Sequence, residues 1–376
     1  MRYFIIAGEQ SGDLHGSNLV REIVKADSNA VISCWGGELM ESAGAKLLMH
    51  YRNTAFMGFV TIIKNLDTIK RNFTLCRRQI TDFKPDVVIL IDYPGFNLRI
   101  ARFAKESGFT VFYYISPKFW AWNEKRVEKV KKYVDRIYII FPFEVDFYKK
   151  HNIDAIYCGN PIIDEIERRI KSFPARYEIK KALGISGKPV IALLAGSRKG
   201  EVQQVLPKML NILDDFPDYQ FVLAGVKNLP NQLYRNIIGE RNVTLIKDKT
   251  YEILRISEAA LITSGTATLE TALFNVPQVV CYRGDFFSMI IAWSVIKVKF
   301  ISLVNLIMGW EVVKELIQYD LTHKTLVSEL YSVLPGGEKR KIVLNDYKKL
   351  KEILGDPGAS QRVAEDMVMK LRKVIG

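Results

Sequence analysis

Short apolar, β-branched segments alternate along this chain with longer segments whose apolar residues recur at helical spacing. The first series of predicted strands covers residues 3–7, 31–35, 87–92, 110–115 and 137–141, and the second covers residues 190–195, 220–224, 243–246, 260–263 and 278–282. Continuous apolar strands separated by helices are typical of parallel sheets with helices on both faces. The pattern therefore predicts an α/β protein with two Rossmann-like domains.

The predicted domain boundary lies between the two series. A strand ends at the turn of residues 159–161, and a charged helical segment at 164–171 leads to Phe173-Pro174. We therefore expect an N-terminal domain of residues 1–165 and a C-terminal domain of residues 166–355. Residues 356–376 begin with a turn and continue with helical apolar spacing, and we expect this helix to pack back on the N-terminal domain.

Charge and cysteine usage limit the function classes. The 376 residues carry a formal net charge of +13, which favours an anionic partner such as a phosphorylated ligand or an anionic lipid surface. We expect no nucleic-acid partner, because the sequence has no nucleic-acid-binding motif. The cysteines and histidines lack metal-ligand spacing, so we expect no metal site, and the widely spaced cysteines fit a reducing cytoplasm. No cofactor is expected.

The sequence predicts no membrane-spanning helix. Its longest apolar run, residues 286–296, is shorter than the roughly 18 residues that a span needs.

A first phosphate-binding loop is predicted at residues 194–201, directly after a strand. Gly196 and Ser197 present backbone and hydroxyl donors, the following helix adds its positive dipole, and Arg198 adds a fixed cation. The alternative is an ordinary capped helix with a solvated arginine. The order of strand, glycine, serine, arginine and helix favours a diphosphate site.

A second loop of the same kind follows another strand in this half. Ser264, Gly265 and Thr266 stand at a helix start, and Glu270 lies about one turn further on, where a carboxylate suits ribose hydroxyls. A capping box alone is the alternative. Two such loops in one domain make a nucleotide diphosphate site more probable than either loop does by itself.

The N-terminal half carries two further candidate segments. Gly8, Glu9, Ser11 and Gly12 follow the first strand, where glycines allow close approach of a ligand, although a plain strand-to-helix turn is the alternative. Asp92 ends an apolar strand within residues 84–97, at the edge where parallel sheets bind ligands. It suits either a general base for an attacking hydroxyl or a simple helix cap, and the residues alone do not separate these.

An apolar segment at residues 55–64 is followed by Lys70, Arg71, Arg77 and Arg78. This combination fits a membrane-lying or acyl-binding surface. An amphipathic core helix with a solvated basic side is the commoner outcome of such a pattern.

The chain resembles the lipid-A-disaccharide synthases over almost its whole length. The motifs that carry the resemblance occur in the family's order: AGEQSGDLHG, MGFVTII, KPDVVILIDYPGFN, YISPKFWAWNEKRV, FPFE, LLAGSRKGEV, SGTATLE and ISLVNLIMGWEVVKELIQ. The resemblance implies a GT-B fold in which two Rossmann-like domains face an interdomain cleft, and metal-free inverting transfer. The implied donor is UDP-2,3-diacylglucosamine, the acceptor 2,3-diacylglucosamine 1-phosphate, and the products a β-1,6-linked disaccharide and UDP.

The resemblance also implies roles for individual residues. Asp92 matches the family's essential carboxylate and is the expected general base, and Arg198 matches its essential arginine. Glu270 resembles the ribose-binding carboxylate of this fold. The expected residues on the acceptor and sugar side are Gly8, Glu9, Ser11, Gly12, Asn97, Asn305 and Glu315. The expected acyl and membrane contacts are Phe56, Met57, Phe59, Val60 and Ile63.

Expected partners therefore include an anionic surface at the inner face of the inner membrane and, as in some family members, a second copy of the chain. The sequence departs from the family at Gly95, Asn160 and Trp310, where many members carry Asp, His and Arg. Three alternatives remain: a UDP-sugar 2-epimerase-like enzyme, a transferase for a different lipid, or a non-catalytic nucleotide-binding protein.

Overall fold

The computed structural model describes residues 1–54, 66–122, 124–185, 187–284 and 299–375. It divides into two compact units. The first comprises residues 1–164 and 356–376, and the second comprises residues 165–355.

The first unit is built around a seven-stranded parallel sheet of strand order β3-β2-β1-β4-β5-β6-β7. Its elements are β1 (Arg2–Ala7), α1 (Gln10–Ala26), β2 (Val31–Gly36), α2 (Glu38–Ser42), β3 (Lys46–His50), α3 (Leu66–Phe83), β4 (Val87–Ile91), α4 (Pro94–Glu106), β5 (Thr110–Tyr114), α5 (Phe119–Trp122), α6 (Val127–Tyr133), β6 (Arg136–Ile139), α7 (Phe143–Lys150) and β7 (Ala155–Tyr157). Short 3-10 helices lie at Tyr51–Asn53 and Glu124–Arg126.

The second unit contains a six-stranded parallel sheet of strand order β10-β9-β8-β11-β12-β13. Helix α8 (Pro161–Ser172) carries the chain into it. The following elements are α9 (Arg176–Ala182), β8 (Val190–Leu194), α10 (Lys199–Leu210), β9 (Gln220–Gly225), α11 (Asn231–Ile238), β10 (Val243–Lys247), α12 (Thr250–Ile256), β11 (Ser257–Thr263), α13 (Thr266–Leu273), β12 (Gln278–Tyr282), α14 (Leu303–Met308), β13 (Lys314–Ile317), α15 (His323–Val333) and α16 (Arg340–Leu354). Short 3-10 helices lie at Leu213–Asp215 and Gln318–Asp320.

The central strands form the cores because helices cover both faces of each sheet. All five residues of β4 are fully buried, as are the first four residues of β8. Strands that are buried on both faces read as continuous apolar runs, which explains why the sequence pattern located them.

The last helix, α17 (Ala359–Ile375), packs on α1 within the first unit. The carboxylate of Asp164 caps its start by accepting hydrogen bonds from the backbone N–H groups of Gly358 (2.6 Å), Ala359 (3.3 Å) and Ser360 (3.1 Å). These donors have no partner within the helix, so the cap stabilises the chain's return to the first unit.

A second contact holds the middle of α17. Asp366 accepts two hydrogen bonds from the guanidinium of Arg136, both at 2.8 Å, and one from the Tyr138 hydroxyl at 2.7 Å. Arg136 and Tyr138 lie on β6, so this bidentate pair fixes the helix to the sheet.

No helix within the described ranges has the length and apolarity needed to cross a bilayer. The five residues expected to contact acyl chains or the membrane lie outside the described residues: Phe56, Met57, Phe59, Val60 and Ile63.

Candidate functional site

Each sheet reverses its strand order once, between β1 and β4 in the first unit and between β8 and β11 in the second. In open parallel sheets, ligands bind beyond the carboxyl ends of the strands at such a reversal. The loops that follow these four strands contain Gly8 and Glu9, Asp92, Gly196 to Arg198, and Ser264 to Thr266. In each unit, therefore, two of the predicted segments follow neighbouring strands.

In the first unit, the loop after β1 packs closely against the residue that follows Asp92. A Cβ atom on Gly8 would lie 2.3 Å from Cγ and Cδ1 of Tyr93, so only glycine fits beneath that ring. The Tyr93 hydroxyl donates a hydrogen bond to the Thr54 carbonyl at 2.6 Å, which anchors the ring. Glycine at this position is thus required by packing within the protein.

The other residues of this loop occupy the start of α1. Glu9 is at the N-cap position, Ser11 is exposed, and Gly12 is buried against β1. Asp13, which was not among the predicted site residues, is buried and accepts hydrogen bonds from three backbone N–H groups at the start of α2. Part of this glycine-rich motif therefore serves the fold.

Asp92 lies directly after β4 in a strained backbone turn. Both Asp92 (φ 44°) and Tyr93 (φ 49°) adopt the left-handed conformation, which is uncommon for residues other than glycine. The Asp92 carbonyl accepts hydrogen bonds from the Tyr113 hydroxyl at 2.6 Å and from the Asn97 side-chain amide at 2.8 Å. Such strain persists where surrounding contacts enforce it, and it often marks a functional site.

Asn97 holds this turn by hydrogen bonds to two of its carbonyl groups. It is fully buried, and its amide nitrogen donates to the carbonyls of Ile91 (3.1 Å) and Asp92. In this structure the polar group of Asn97 that faces the turn is thus used to position Asp92.

Two opposing effects set the pKa of the Asp92 carboxyl. Burial raises its pKa, while the positive charge of Lys118 and the backbone N–H of Tyr93 act in the opposite direction. A carboxylate that is less solvated than usual is a stronger proton acceptor, and a cation nearby keeps it ionised. The Asp92 carboxyl is therefore less solvated than that of an exposed aspartate, with a cation nearby.

In the second unit, the loop after β8 contacts the carboxylate of Glu201 on α10. Oε2 of Glu201 accepts hydrogen bonds from the backbone N–H groups of Ser197 (3.1 Å) and Arg198 (3.3 Å). Its Oε1 atom is 3.4 Å from Nη1 of Arg198, whose side chain is 72% exposed. Gly196 has φ +110°, and a Cβ there would lie 2.6 Å from Glu201 Oε2. Glu201 thus caps the start of α10, and the backbone N–H groups of Ser197 and Arg198 point toward an anionic oxygen.

The loop after β11 is fixed by its own side chains. Ser264 donates a hydrogen bond to the Ile301 carbonyl at 2.7 Å, Gly265 precedes α13, and Thr266 is exposed at the first position of that helix. Glu270 follows on α13 and accepts a hydrogen bond from the Tyr251 hydroxyl at 2.8 Å. Burial raises the pKa of Glu270, and the bond from Tyr251 counteracts this effect.

Asn305 and Glu315 form a network beside this loop. The fully buried Asn305 donates to Glu315 Oε1 at 2.9 Å and accepts from the backbone N–H groups of Val312 and Val313. Glu315 also accepts from the backbone N–H groups of Ile301 and Ser302, both at 2.9 Å. Because Ser264 bonds to the Ile301 carbonyl, Asn305 and Glu315 support the loop after β11.

Sequence reasoning did not identify Glu144 as a notable residue. Its side chain is almost fully buried and accepts hydrogen bonds from Trp120 Nε1 (3.1 Å) and from the backbone N–H groups of Ile140 (3.3 Å) and Phe141 (3.1 Å). Burial nevertheless raises the pKa of Glu144 to about 7. The available signal was a lone carboxylate in the FPFE motif after a strand, which has no feature beyond an ordinary cap.

The chain is similar to known proteins over nearly its whole length. The family model described as lipid-A-disaccharide synthetase matches residues 3–365. The chain is 34% identical over 381 residues to the lipid-A-disaccharide synthase of Geobacter sulfurreducens. The aligned region covers 100% of this chain and 98% of that protein. It is 35% identical over 377 residues to the lipid-A-disaccharide synthase of Syntrophus aciditrophicus, covering 98% and 97%.

Solved structures resemble the fold at low identity. The UDP-GlcNAc 2-epimerase of Neisseria meningitidis, bound to UDP-GlcNAc, has a TM-score of 0.67 at 14% identity and covers 98% of this chain and 100% of its own. The calicheamicin glycosyltransferase CalG4 has a TM-score of 0.62 at 13% identity, covering 100% and 99%. These likenesses confirm the predicted α/β class with Rossmann-like domains of the GT-B type.

Proposed function

This chain belongs to the lipid-A-disaccharide synthetase family, and on that premise we propose the following reaction. The protein is a glycosyltransferase of lipid A disaccharide synthesis, as the sequence predicted. It transfers 2,3-diacylglucosamine from UDP-2,3-diacylglucosamine to the 6-hydroxyl of 2,3-diacylglucosamine 1-phosphate. The single observation that carries the mechanism is the partly desolvated carboxylate of Asp92, held in a strained turn at the strand-order reversal.

Asp92 acts as the general base in this proposal. It takes the proton of the acceptor hydroxyl as the hydroxyl oxygen attacks the anomeric carbon from the face opposite the UDP group. The bond from the anomeric carbon to the diphosphate oxygen breaks, and the pair of electrons leaves with UDP. The anomeric centre passes through an oxocarbenium-like state and inverts, which gives the β-linkage.

The second unit binds the leaving diphosphate. The N–H groups of Ser197 and Arg198 and the Arg198 guanidinium, which now contact Glu201, are the donors that an incoming diphosphate needs. When UDP binds, its oxygens replace the Glu201 carboxylate on these donors. Arg198 and the Ser264 to Thr266 loop then stabilise the charge that develops as UDP leaves. Glu270 binds the ribose hydroxyls.

The N-terminal domain holds the acceptor and faces the membrane in this proposal, and the C-terminal domain holds the UDP-sugar. The net charge of +13 supports association with an anionic membrane surface at the inner face of the inner membrane. A homodimer is part of the proposal on the strength of the family resemblance alone.

The test is disaccharide formation and UDP release in detergent micelles from the two diacylglucosamine substrates. We expect Asp92→Asn to reduce the rate by at least about 100-fold, the low end for loss of a general base. Asp86→Asn is the matched control, because Asp86 precedes the same strand and its carboxylate accepts a hydrogen bond from the Arg2 backbone N–H at 2.7 Å. We expect it to retain the native rate.

Two outcomes would contradict the proposal. If Asp92→Asn and Asp86→Asn lose disaccharide-forming activity equally, the effect of the Asp92 substitution is on the fold and not on proton transfer. Equal reaction of UDP-N-acetylglucosamine, without acyl chains, would favour the 2-epimerase-like alternative, whose solved members share this fold.

A further inference from the structure

The first unit contains a cleft of about 790 Å³, and its lining includes none of the expected catalytic, UDP-binding, acceptor-side or acyl-contact residues. Helices α3, α4 and α6 and the 3-10 turn at Glu124–Arg126 form its walls. Pro94 and Gly95 line one end. Since Pro94 follows Asp92 by two residues, their Cα atoms are at most about 7 Å apart. The backbone at this end of the cleft is therefore close to the backbone of the proposed general base.

Positive charge dominates the lining. Among the described residues that line it, six are cationic and two are acidic. The cationic residues are Arg77, Arg99, Arg102, Arg126, Lys129 and Lys132, and the acidic ones are Glu106 and Glu128. Arg102 pairs with Glu106 at 2.9 Å, which neutralises one charge of each sign. The remaining excess of cations favours an anionic ligand.

The cleft also has an apolar component. Phe73, Leu98, Phe103 and Tyr133 belong to its lining, and three of them are only half-buried. The guanidinium carbon of Arg77 lies 4.4 Å from the ring centroid of Phe103, so the cation is held against an aromatic face. Apolar surface beneath a rim of cations is complementary to an anionic amphiphile.

We propose that this cleft binds the phosphate group of the phosphorylated, acylated sugar acceptor, with the first carbons of its acyl chains against the aromatic residues. The proposal rests on the function proposed above and adds the site of the acceptor. A phosphomonoester carries close to two negative charges at neutral pH, which matches the excess of cations. An acceptor held here has its sugar on the side of Asp92.

The shape of the site favours a single ligand over the membrane surface. The cleft is concave, and its volume is within the range of about 300–1,000 Å³ that is usual for small-molecule sites. A Cβ on Gly95 would meet open space, so the end of the cleft that Gly95 lines is open to a ligand.

Charge reversal tests the assignment. Arg77→Glu and Arg99→Glu each place an acid in the cleft. Lys131→Glu is the matched control, because Lys131 lies on α6 next to the lining residue Lys132, is exposed, and is absent from the lining. We expect the cleft variants to raise KM for 2,3-diacylglucosamine 1-phosphate by about tenfold or more, as loss of charge-assisted contacts does. KM for the UDP-sugar and KM for an acceptor analogue without phosphate should stay at native values.

Binding to vesicles that contain phosphatidylglycerol separates the acceptor from the membrane as the source of the phosphate. We expect the cleft variants to bind these vesicles as well as Lys131→Glu does. If the cleft variants lose vesicle binding and keep the native KM for the acceptor, the cleft is a membrane contact and the proposal is overturned. Equal thermal unfolding of all three variants establishes that the comparison concerns folded protein.

A binding measurement distinguishes this proposal from the proposed function. Equilibrium binding of 2,3-diacylglucosamine 1-phosphate to Asp92→Asn protein in micelles requires no turnover. If cleft charge reversal weakens this binding while native protein forms no disaccharide, the cleft assignment survives and the proposed function fails. If native protein forms disaccharide and charge reversal changes neither binding nor KM, the cleft assignment fails and the function stands.

Discussion

The hydroxyl of Tyr251 on α12 donates a hydrogen bond to Oε1 of Glu270 on α13, at 2.8 Å. The Glu270 carboxyl is otherwise poorly solvated, and burial raises its pKa. Tyr251 therefore both orients the carboxylate and favours its ionised form. This places Tyr251 behind the residue that we propose to bind the ribose.

Replacing Tyr251 with Phe should weaken recognition of the ribose. We expect Tyr251→Phe to raise KM for the UDP-sugar several-fold and to change kcat little. The expected rise in KM is within the roughly tenfold effect of losing a hydrogen bond to a charged group. The diagnostic measurement is inhibition by UDP and by 2′-deoxy-UDP. The native enzyme should favour UDP, and the variant should narrow that preference.

Tyr177→Phe is the control for this prediction. Tyr177 is 69% exposed, and its hydroxyl also contacts a glutamate, Glu178, at 3.1 Å in the same domain. Tyr177→Phe should leave the inhibition constants of UDP and of 2′-deoxy-UDP unchanged. An unaltered ratio of the two constants in Tyr251→Phe would rule out a positioning role for Tyr251.

The pH dependence of turnover should report Asp92. A base must be ionised, so activity is present above the pKa of Asp92 and is lost as the pH falls through it. Because burial raises that pKa, the acidic limb of kcat/KM should lie above the ordinary aspartate range. Lys118→Met removes a charge that lowers the pKa, and we expect the limb to move to still higher pH.

Lys131→Met removes the same charge from an exposed position on α6 and should leave the limb in place. An identical pH profile for native protein and Lys118→Met would show that Lys118 does not influence the catalytic base.

A pattern of continuous apolar runs locates central strands but misses strands at the edge of a sheet. The central strands were found because both of their faces are buried. Strands β3 and β13 were not predicted, and each is at the edge of its sheet. Their residues, KLLMH and KELI, are mostly half-exposed and include charged side chains, so they lack a continuous apolar run. The predicted strand ending at Asp92 stops at Ile91, because the left-handed turn begins there.

The site was predictable where it depends on chain order and not where it depends on tertiary packing. Parallel sheets bring the ends of their central strands together, so the loops at Gly196 and Ser264 could be placed on neighbouring strands of one sheet. The Tyr251–Glu270 bond joins different helices, and nothing in the spacing indicates it. Asn97 and Asn305 belong to recognisable motifs, but their complete burial is visible only in the fold.

The cap on α17 should make a measurable contribution to stability. Asp164→Ala leaves three backbone N–H groups at the start of that helix without their acceptor. We expect the free energy of unfolding of the first unit to fall by about 1–2 kcal/mol, as for other lost N-caps. Asp356→Ala, at an exposed position in the preceding turn, should have little effect. Chemical denaturation checks this, and equal stabilities would remove the cap from the account of how α17 is held.

Glu144 should make the stability of the first unit depend on pH. Burial raises the pKa of Glu144 to about 7 in the folded protein, against an ordinary value of 4.5. Between these values the folded state binds a proton that the unfolded state has released, so stability falls as the pH rises. The contribution is fully present below the ordinary value and is lost by about pH 7. At about 1.4 kcal/mol per pH unit, it amounts to about 3 kcal/mol.

Glu144→Gln has no proton to release and isolates this effect. The free energy of unfolding of the native protein, measured by denaturant titration from pH 5 to pH 8, should fall relative to that of the variant. Every other titrating group is common to both proteins, so the difference belongs to Glu144. Parallel pH profiles would mean that the hydrogen bonds from Trp120, Ile140 and Phe141 stabilise the ionised form enough to offset its burial.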